Sequence, residues 1–379
     1  MKYFLYIIIL LITLKLVFIL IQKSNYNSLQ KEKNDIIERT NYLLNKLNTP
    51  QNAINSMPSS IGPQFQGEWA LYSCSMLSTA LVNISKLYPE QKATNIQHIT
   101  NLINIVTSEE IRHYDAIRWN EDPLSNFYNN NSHLSYLSHL ALMICNFKKL
   151  SNDNKYDDLL HELCETMNRR ILDSESLNLQ TYPEEPIYIP DMLVAIVALK
   201  LYSDFYENKY NSTIEKWINK AQNEWIDNKT SLLVSILNPD GSQYDNTNVK
   251  GSYSALNCYY LTFINEMFAK EQYDKLKSLF WKNSLIRGLK EYHDKSYYLG
   301  FDIDAGPIIF ELSPSGTAFF AGSATYFNDT EIRKEILTTA EIAGTTIKYK
   351  NKRHYLLANI ALVGESIMLA MRTHYKDIN

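Results

Sequence analysis

Apolar helical runs rich in Ala, Ser and Gly recur along this chain at roughly 60-residue spacing, and after each comes a more polar, amphipathic run. The apolar runs begin near Glu68 (EWALYSCSMLSTALVNI), His133 (HLSYLSHLALMICNF), Asp191 (DMLVAIVALKLYSDF), Ser252 (SYSALNCYYLTFINEMF), Ser315 (SGTAFFAGSATYF) and Arg353 (RHYLLANIALVGESIMLAM). The amphipathic runs after the first five cover 91–106, 155–172, 213–226, 271–289 and 329–344, and the stretch 28–47 supplies a sixth. A helix that is apolar all round must be enclosed, whereas a helix with one apolar stripe lies outside it. Six enclosed helices covered by six amphipathic ones predict an all-α fold, the (α/α)6 toroid, with small residues letting the inner backbones approach. An open helical superhelix is the structural alternative, and the inner/outer polarity argues for closure.

The N-terminus carries a different signal. YFLYIIILLITLKLVFILI (3–21) is close to the roughly 20 residues that cross a bilayer. Lys15 interrupts it, at roughly 2.5–3.5 kcal/mol in a membrane centre and less if its stem snorkels. LIQKSNYNS follows, without the small-residue pattern of a cleavage site. The expected organisation is a transmembrane anchor or uncleaved signal over 1–24, a linker with the first outer helix over 25–63, and a toroid catalytic domain over 64–379. A large domain after a first apolar helix is commonly exported, which puts the toroid on the outer, periplasmic or extracellular side.

Net charge is −4 with both signs interspersed and no basic arm, which excludes nucleic acid as a partner. Cys74, Cys145, Cys164 and Cys258 lie in apolar helical runs with no CxxC pair, so they read as buried thiols. No P-loop, GxGxxG, HExxH or GxSxG is present, and no cofactor is expected. DIDAG (302–306) has the first spacing of a calcium loop, but Gly306 comes too early and no bidentate Glu follows, so no metal is expected either.

In a toroid the long connections before inner helices gather over one end of the ring, and here those connections hold the unusual residues. GPQFQGEW carries Glu68 and Trp69, and TYPEEPIYIPD carries Tyr182, Glu184, Glu185, Tyr188 and Asp191. NPDGSQYDNTNVKG carries Tyr244, and GFDIDAGPIIFELSP carries Asp302 and Asp304. Asp191 equally suits a helix N-cap, and Glu184 and Glu185 equally suit solvated loop charges. Asp302 and Asp304, alternating with Phe301 and Ile303, would share one strand face, where neighbouring carboxylates titrate apart into an acid and a base. His139, one turn after Tyr136 in an apolar inner helix, is either a satisfied core histidine or a group facing the lumen. The candidate catalytic set is His139, Glu184, Asp191, Asp302 and Asp304. Glu68, Trp69, Tyr136, Tyr182, Tyr188 and Tyr244 are the candidate substrate contacts.

From about Gln64 to Asn283 the chain resembles the linalool dehydratase/isomerase-like toroids, through EDPL (121–124), SYLSHLALM (135–143), YPEEPIYIPDMLVAIVALKLYSDF (182–205) and STIEKWINKAQNEWID (212–227). The resemblance implies the toroid, an active-site role for His139 with Tyr136 beside it, and an oligomer with the site near subunit contacts. Where that family carries two active-site cysteines, this chain has Tyr182 and Asp191, and DIDAGP has no counterpart. The expected function is acid/base lyase, hydratase or isomerase chemistry on a small hydrophobic alcohol, the aromatic lining stabilising developing positive charge. The alternative is a glycoside hydrolase with paired carboxylates, and a third reading is a non-catalytic ligand-binding toroid.

Overall fold

The computed structural model describes residues 2–26, 28–244, 249–294 and 297–376. From the N-terminus its helices are α1 (Lys2–Asn25), α2 (Leu29–Lys46), α3 (Pro50–Asn55), α4 (Pro63–Leu87), α5 (Lys92–Val106), α6 (Glu109–Trp119), α7 (Leu134–Leu150) and α8 (Asp157–Asp173). There follow α9 (Ile189–Phe205), α10 (Asn211–Glu224), α11 (Gly251–Leu261), α12 (Glu266–Phe280), α13 (Pro314–Tyr326), α14 (Thr330–Gly344) and α15 (Leu362–Arg372).

The inner helices pack in sequence, α4 on α7, then α9, α11, α13 and α15, and α15 returns to α4. The ring is therefore closed. Outside it α5, α8, α10, α12, α14 and α2 cover α4, α7, α9, α11, α13 and α15 respectively. Sequence dictates this layering. In α7 every residue from Leu134 to Phe147 is buried, whereas α10 buries only Thr213, Ile214, Trp217, Ile218 and Ala221, a single stripe. The inner helices sit close enough to demand a glycine: a Cβ at Gly322 of α13 would fall 2.5 Å from the Met371 sulfur of α15.

The seam between the chain's two ends is ionic. Glu32 of α2 pairs with Arg333 at 2.8 Å and Arg372 at 2.7 Å, and Asp35 pairs with Arg372 at 2.6 Å and Arg353 at 3.0 Å. Arg39 joins Asp35 to Glu365. Burial opposes ionisation of Glu32 and Asp35, yet the surrounding guanidinium groups hold both below the usual carboxylate range.

Four short antiparallel strand pairs decorate the ring: β1 (Ile187–Tyr188) with β2 (Ile236–Leu237), β3 (Trp281–Lys282) with β4 (Gly288–Leu289), β5 (Leu299–Asp302) with β6 (Gly306–Ile309), and β7 (Thr346–Tyr349) with β8 (Lys352–Tyr355). Two expected inner helices are shorter than their apolar runs. The run from Ser252 breaks after Leu261, because Thr262 bonds back to the Tyr259 carbonyl and Asn265 caps α12 through Phe268 N–H. The run from Arg353 starts as strand β8, and its inner helix begins only at Leu362.

Among the described residues no helix is long and apolar enough to cross a membrane. Residues 2–25 do form α1, and it docks on outer helix α14. Lys15 donates to the Ile342 carbonyl at 2.9 Å and to Thr345 Oγ1 at 2.8 Å, and Lys23 pairs with Glu335 at 2.7 Å. The lysine that interrupts the apolar run thus finds its acceptors on the ring.

Candidate active site

The N-terminal ends of the inner helices enclose a cavity of 1060 Å³ that reaches outward between α14 and α15. Five carboxyl groups line it: Glu68 in α4, Glu185 in the connection before α9, Asp191 in α9, Asp304 between β5 and β6, and Glu365 in α15, which pairs with Arg39.

Pro190 in the first turn starts α9, which places Asp191 third in the helix and makes Tyr188, not Asp191, the cap residue. Freed from capping, the Asp191 carboxylate accepts from Thr181 Oγ1 at 2.6 Å and from the Tyr72 hydroxyl at 3.2 Å. Burial lifts it to about 6, and those two donors limit the rise. Glu68 is pushed further, to about 8, first by burial and then by the Asp191 charge. The Tyr182 hydroxyl and Arg118 pull Glu68 back only partly. That hydroxyl is buried in the cavity wall, a donor held beside the acid. Burial and their mutual repulsion thus push these two carboxyl groups apart, Glu68 holding its proton more firmly than Asp191.

Asp302 and Asp304 do not share a strand face. Strand β5 ends at Asp302, whose carboxylate accepts from the N–H groups of Asp304 and Ala305 and pairs with Lys250 at 2.7 Å. Burial would raise Asp302, but Lys250 and the two amides overcome it and hold the carboxyl below its ordinary value. Asp302 lies off the cavity wall and folds the turn. Asp304 lines the cavity, accepts from the Tyr253 hydroxyl at 2.7 Å and is raised by burial.

His139 reaches the cavity wall with Nδ1 2.8 Å from Ser75 Oγ and the Tyr72 ring edge-on at 4.4 Å. Burial pushes it down to about 3, so it is neutral imidazole at any working pH and carries no proton to donate as imidazolium. Trp69, Tyr182 and Tyr188 line the cavity as substrate contacts should, whereas Tyr136 and Tyr244 do not. The Tyr136 hydroxyl turns outward to the Val106 carbonyl at 3.0 Å, and Tyr244 is 44% exposed. Glu184 sits exposed at φ 64 in its turn, which swings Glu185 inward to pair with Arg118 at 2.8 Å.

Sequence reasoning missed Tyr72, Arg118, Thr181 and Tyr253. Tyr72 had a signal, since it lies one turn after Glu68 on the same helix face. Arg118 had none: it stands on α6 and stacks 3.9 Å over the Tyr182 ring. Among the described residues no group of three or more His, Cys, Asp or Glu could hold a metal ion.

No protein-family model and no curated protein sequence matches the chain. Solved structures do. An unsaturated glucuronyl hydrolase specific for heparin superposes with a TM-score of 0.54 at 11% identity, covering 80% of this chain and 85% of that one. An alpha-amylase from Clostridium perfringens superposes with a TM-score of 0.51 at 14% identity, also covering 80% and 85%. At such identities the likeness concerns the path of the chain, and that path is the double ring of helices described above.

Proposed function

We propose that the cavity is the active site of a carbohydrate-active hydrolase that cleaves a glycosidic bond with two carboxyl groups. The observation that carries this reading is the pair of buried carboxyl groups, Glu68 from α4 and Asp191 from α9, lining one cavity, where burial raises both and raises Glu68 further. Glu68 is the acid: its proton passes to the glycosidic oxygen as the bond to the anomeric carbon breaks. Asp191 is the base: it takes a proton from the water whose oxygen bonds to that carbon. Asp304, with Tyr253, supports the positive charge that develops on the sugar, and Trp69, Tyr182 and Tyr188 offer aromatic faces to it. The hydrolytic activities named for the two similar toroids support the substrate class. The test is a panel of nitrophenyl glycosides and oligosaccharides, followed by product analysis. Cleavage that Glu68→Gln and Asp191→Asn both suppress supports the reading, and cleavage that survives both overturns it.

A second reading has its own observation. Away from Glu68, Asp191 and Asp304 the cavity wall is mostly apolar, with Ile336, Ile367 and Met368 beside the Arg39-paired Glu365, which suits dehydration or isomerisation of a hydrophobic alcohol of the linalool dehydratase/isomerase-like kind. There Glu68 would protonate a leaving hydroxyl while Asp191 takes a proton from the adjacent carbon. An alkene product from a terpenol would identify it.

A further inference from the structure

A sugar ring accounts for only part of the cavity. Away from Glu68, Asp191 and Asp304 it continues between α13, α14 and α15 along Ile336, Ile342, Ile367 and Met368, with Thr339 and Glu365 also in its wall and the Glu365 carboxylate accepting from Arg39 and the Tyr355 N–H. It opens past Ile309, Phe310, Leu357 and Ile360, which are 48%, 49%, 51% and 65% exposed. Small residues keep this branch wide: Ala340 and Ala343 from α14, Ala361 and Gly364 at the start of α15. A Cβ added at Gly364 would meet nothing within 4 Å. The inner end is of opposite character, with the carboxyl groups of Glu68, Glu185, Asp191 and Asp304 and the buried Tyr182 hydroxyl.

Apolar surface left facing water is unfavourable by about 25 cal/mol per Å², and contiguous patches of it mark ligand or membrane contacts. A free sugar covers none of this branch; a hydrocarbon chain covers it along its length. Helix α1 docks on α14, the helix that supplies one side of the branch, and leaves Leu14, Val17, Phe18 and Ile21 exposed. The segment that the sequence marks as lipid-like thus adds exposed apolar residues on the outer side of α14.

We propose that the aliphatic branch holds the hydrocarbon chain of an amphiphilic substrate, a long-chain alkyl glycoside whose sugar sits at Glu68, Asp191 and Asp304. The sugar end rests on the glycosidase reading, while the chain end rests on the shape and lining of the branch alone. In the balanced step the Glu68 proton joins the alkyl-bearing oxygen, which leaves as the long-chain alcohol. Water supplies the hydroxyl on the anomeric carbon, and its second proton goes to Asp191.

The experiment uses the full chain and measures calorimetric binding and cleavage of methyl, hexyl and decyl glycosides, with decanol as the headless control, all below their micelle concentrations. Each buried methylene is worth about fourfold in affinity, so the four added from hexyl to decyl should tighten binding by up to about 250-fold if all are buried, and by at least about tenfold if only two are. Gly364→Trp fills the branch and should flatten that dependence, and Ala340→Phe, which enters from α14, should do the same should the first variant not fold. Asp191→Asn should keep the chain dependence while losing cleavage. Equal binding of methyl and decyl glycosides, or a chain dependence that survives both fillings, overturns the proposal, and cleavage of short glycosides would still stand. Decanol binding as tightly as decyl glycoside, with no glycoside cleaved, instead overturns the sugar end and the hydrolase reading together.

Discussion

Replacing Asp191 by Asn removes the charge at the centre of the site and keeps its shape. The folded state lifts this carboxyl from 3.8 to about 6, so above pH 6 the wild-type protein carries roughly 3 kcal/mol of charge penalty there. The sign follows from proton binding. Between pH 3.8 and 6 the folded form holds a proton that the unfolded chain has released, so this contribution to stability is present at low pH and lost as pH rises to 6. Asn has no such loss. It offers one acceptor oxygen to two donors, Thr181 and Tyr72, which costs about 1 kcal/mol. The variant should therefore match or trail wild type at pH 4 and exceed it by about 1–2 kcal/mol at pH 8, a rise of a few degrees in Tm. Turnover should fall about 10²–10⁴-fold. Differential scanning calorimetry at both pH values, with rates on the glycoside panel, measures both effects. A variant that melts lower at pH 8 and turns over normally would refute the reasoning, because Asp191 would then be a structural hydrogen-bond acceptor.

With Asp191 ionised above about 6 and Glu68 protonated below about 8, kcat/KM should follow a bell between those values; Glu68→Gln should lose the descending limb along with about 10²–10⁴-fold of rate, as pH-rate profiles would reveal. His139→Gln should leave both limbs in place, since the imidazole is neutral throughout, and the disappearance of a limb would assign it a proton-transfer role. Arg372→Met leaves Glu32 with Arg333 alone and Asp35 with Arg39 and Arg353, and should cost about 3 kcal/mol by denaturant unfolding. Gly322→Ala, with its Cβ 2.5 Å from the Met371 sulfur, should cost about 1–3 kcal/mol in the same assay.

The double ring was legible in the sequence because helical burial is written locally. A run such as α7 has no polar face to turn outward, α10 has one stripe to turn inward, and their alternation admits few closed arrangements. The rim was legible for the same reason, since connections before inner helices end on one side. Which carboxyl enters the cavity was decided elsewhere. Glu184 and Glu185 are neighbours in sequence, and only the positive φ at Glu184 turns Glu185 inward. Asp302 and Asp304 differ because Lys250, from the start of another inner helix, neutralises the first and only approaches the second, at 3.7 Å. The helix cap expected at Asp191 gave way to Tyr72, 119 residues away, and the proton affinity of Glu68 is set by burial and by that same distant Asp191. Periodicity records what a residue's own helix does with it; the charge a carboxyl carries depends on desolvation and on neighbours that only the closed ring brings within reach.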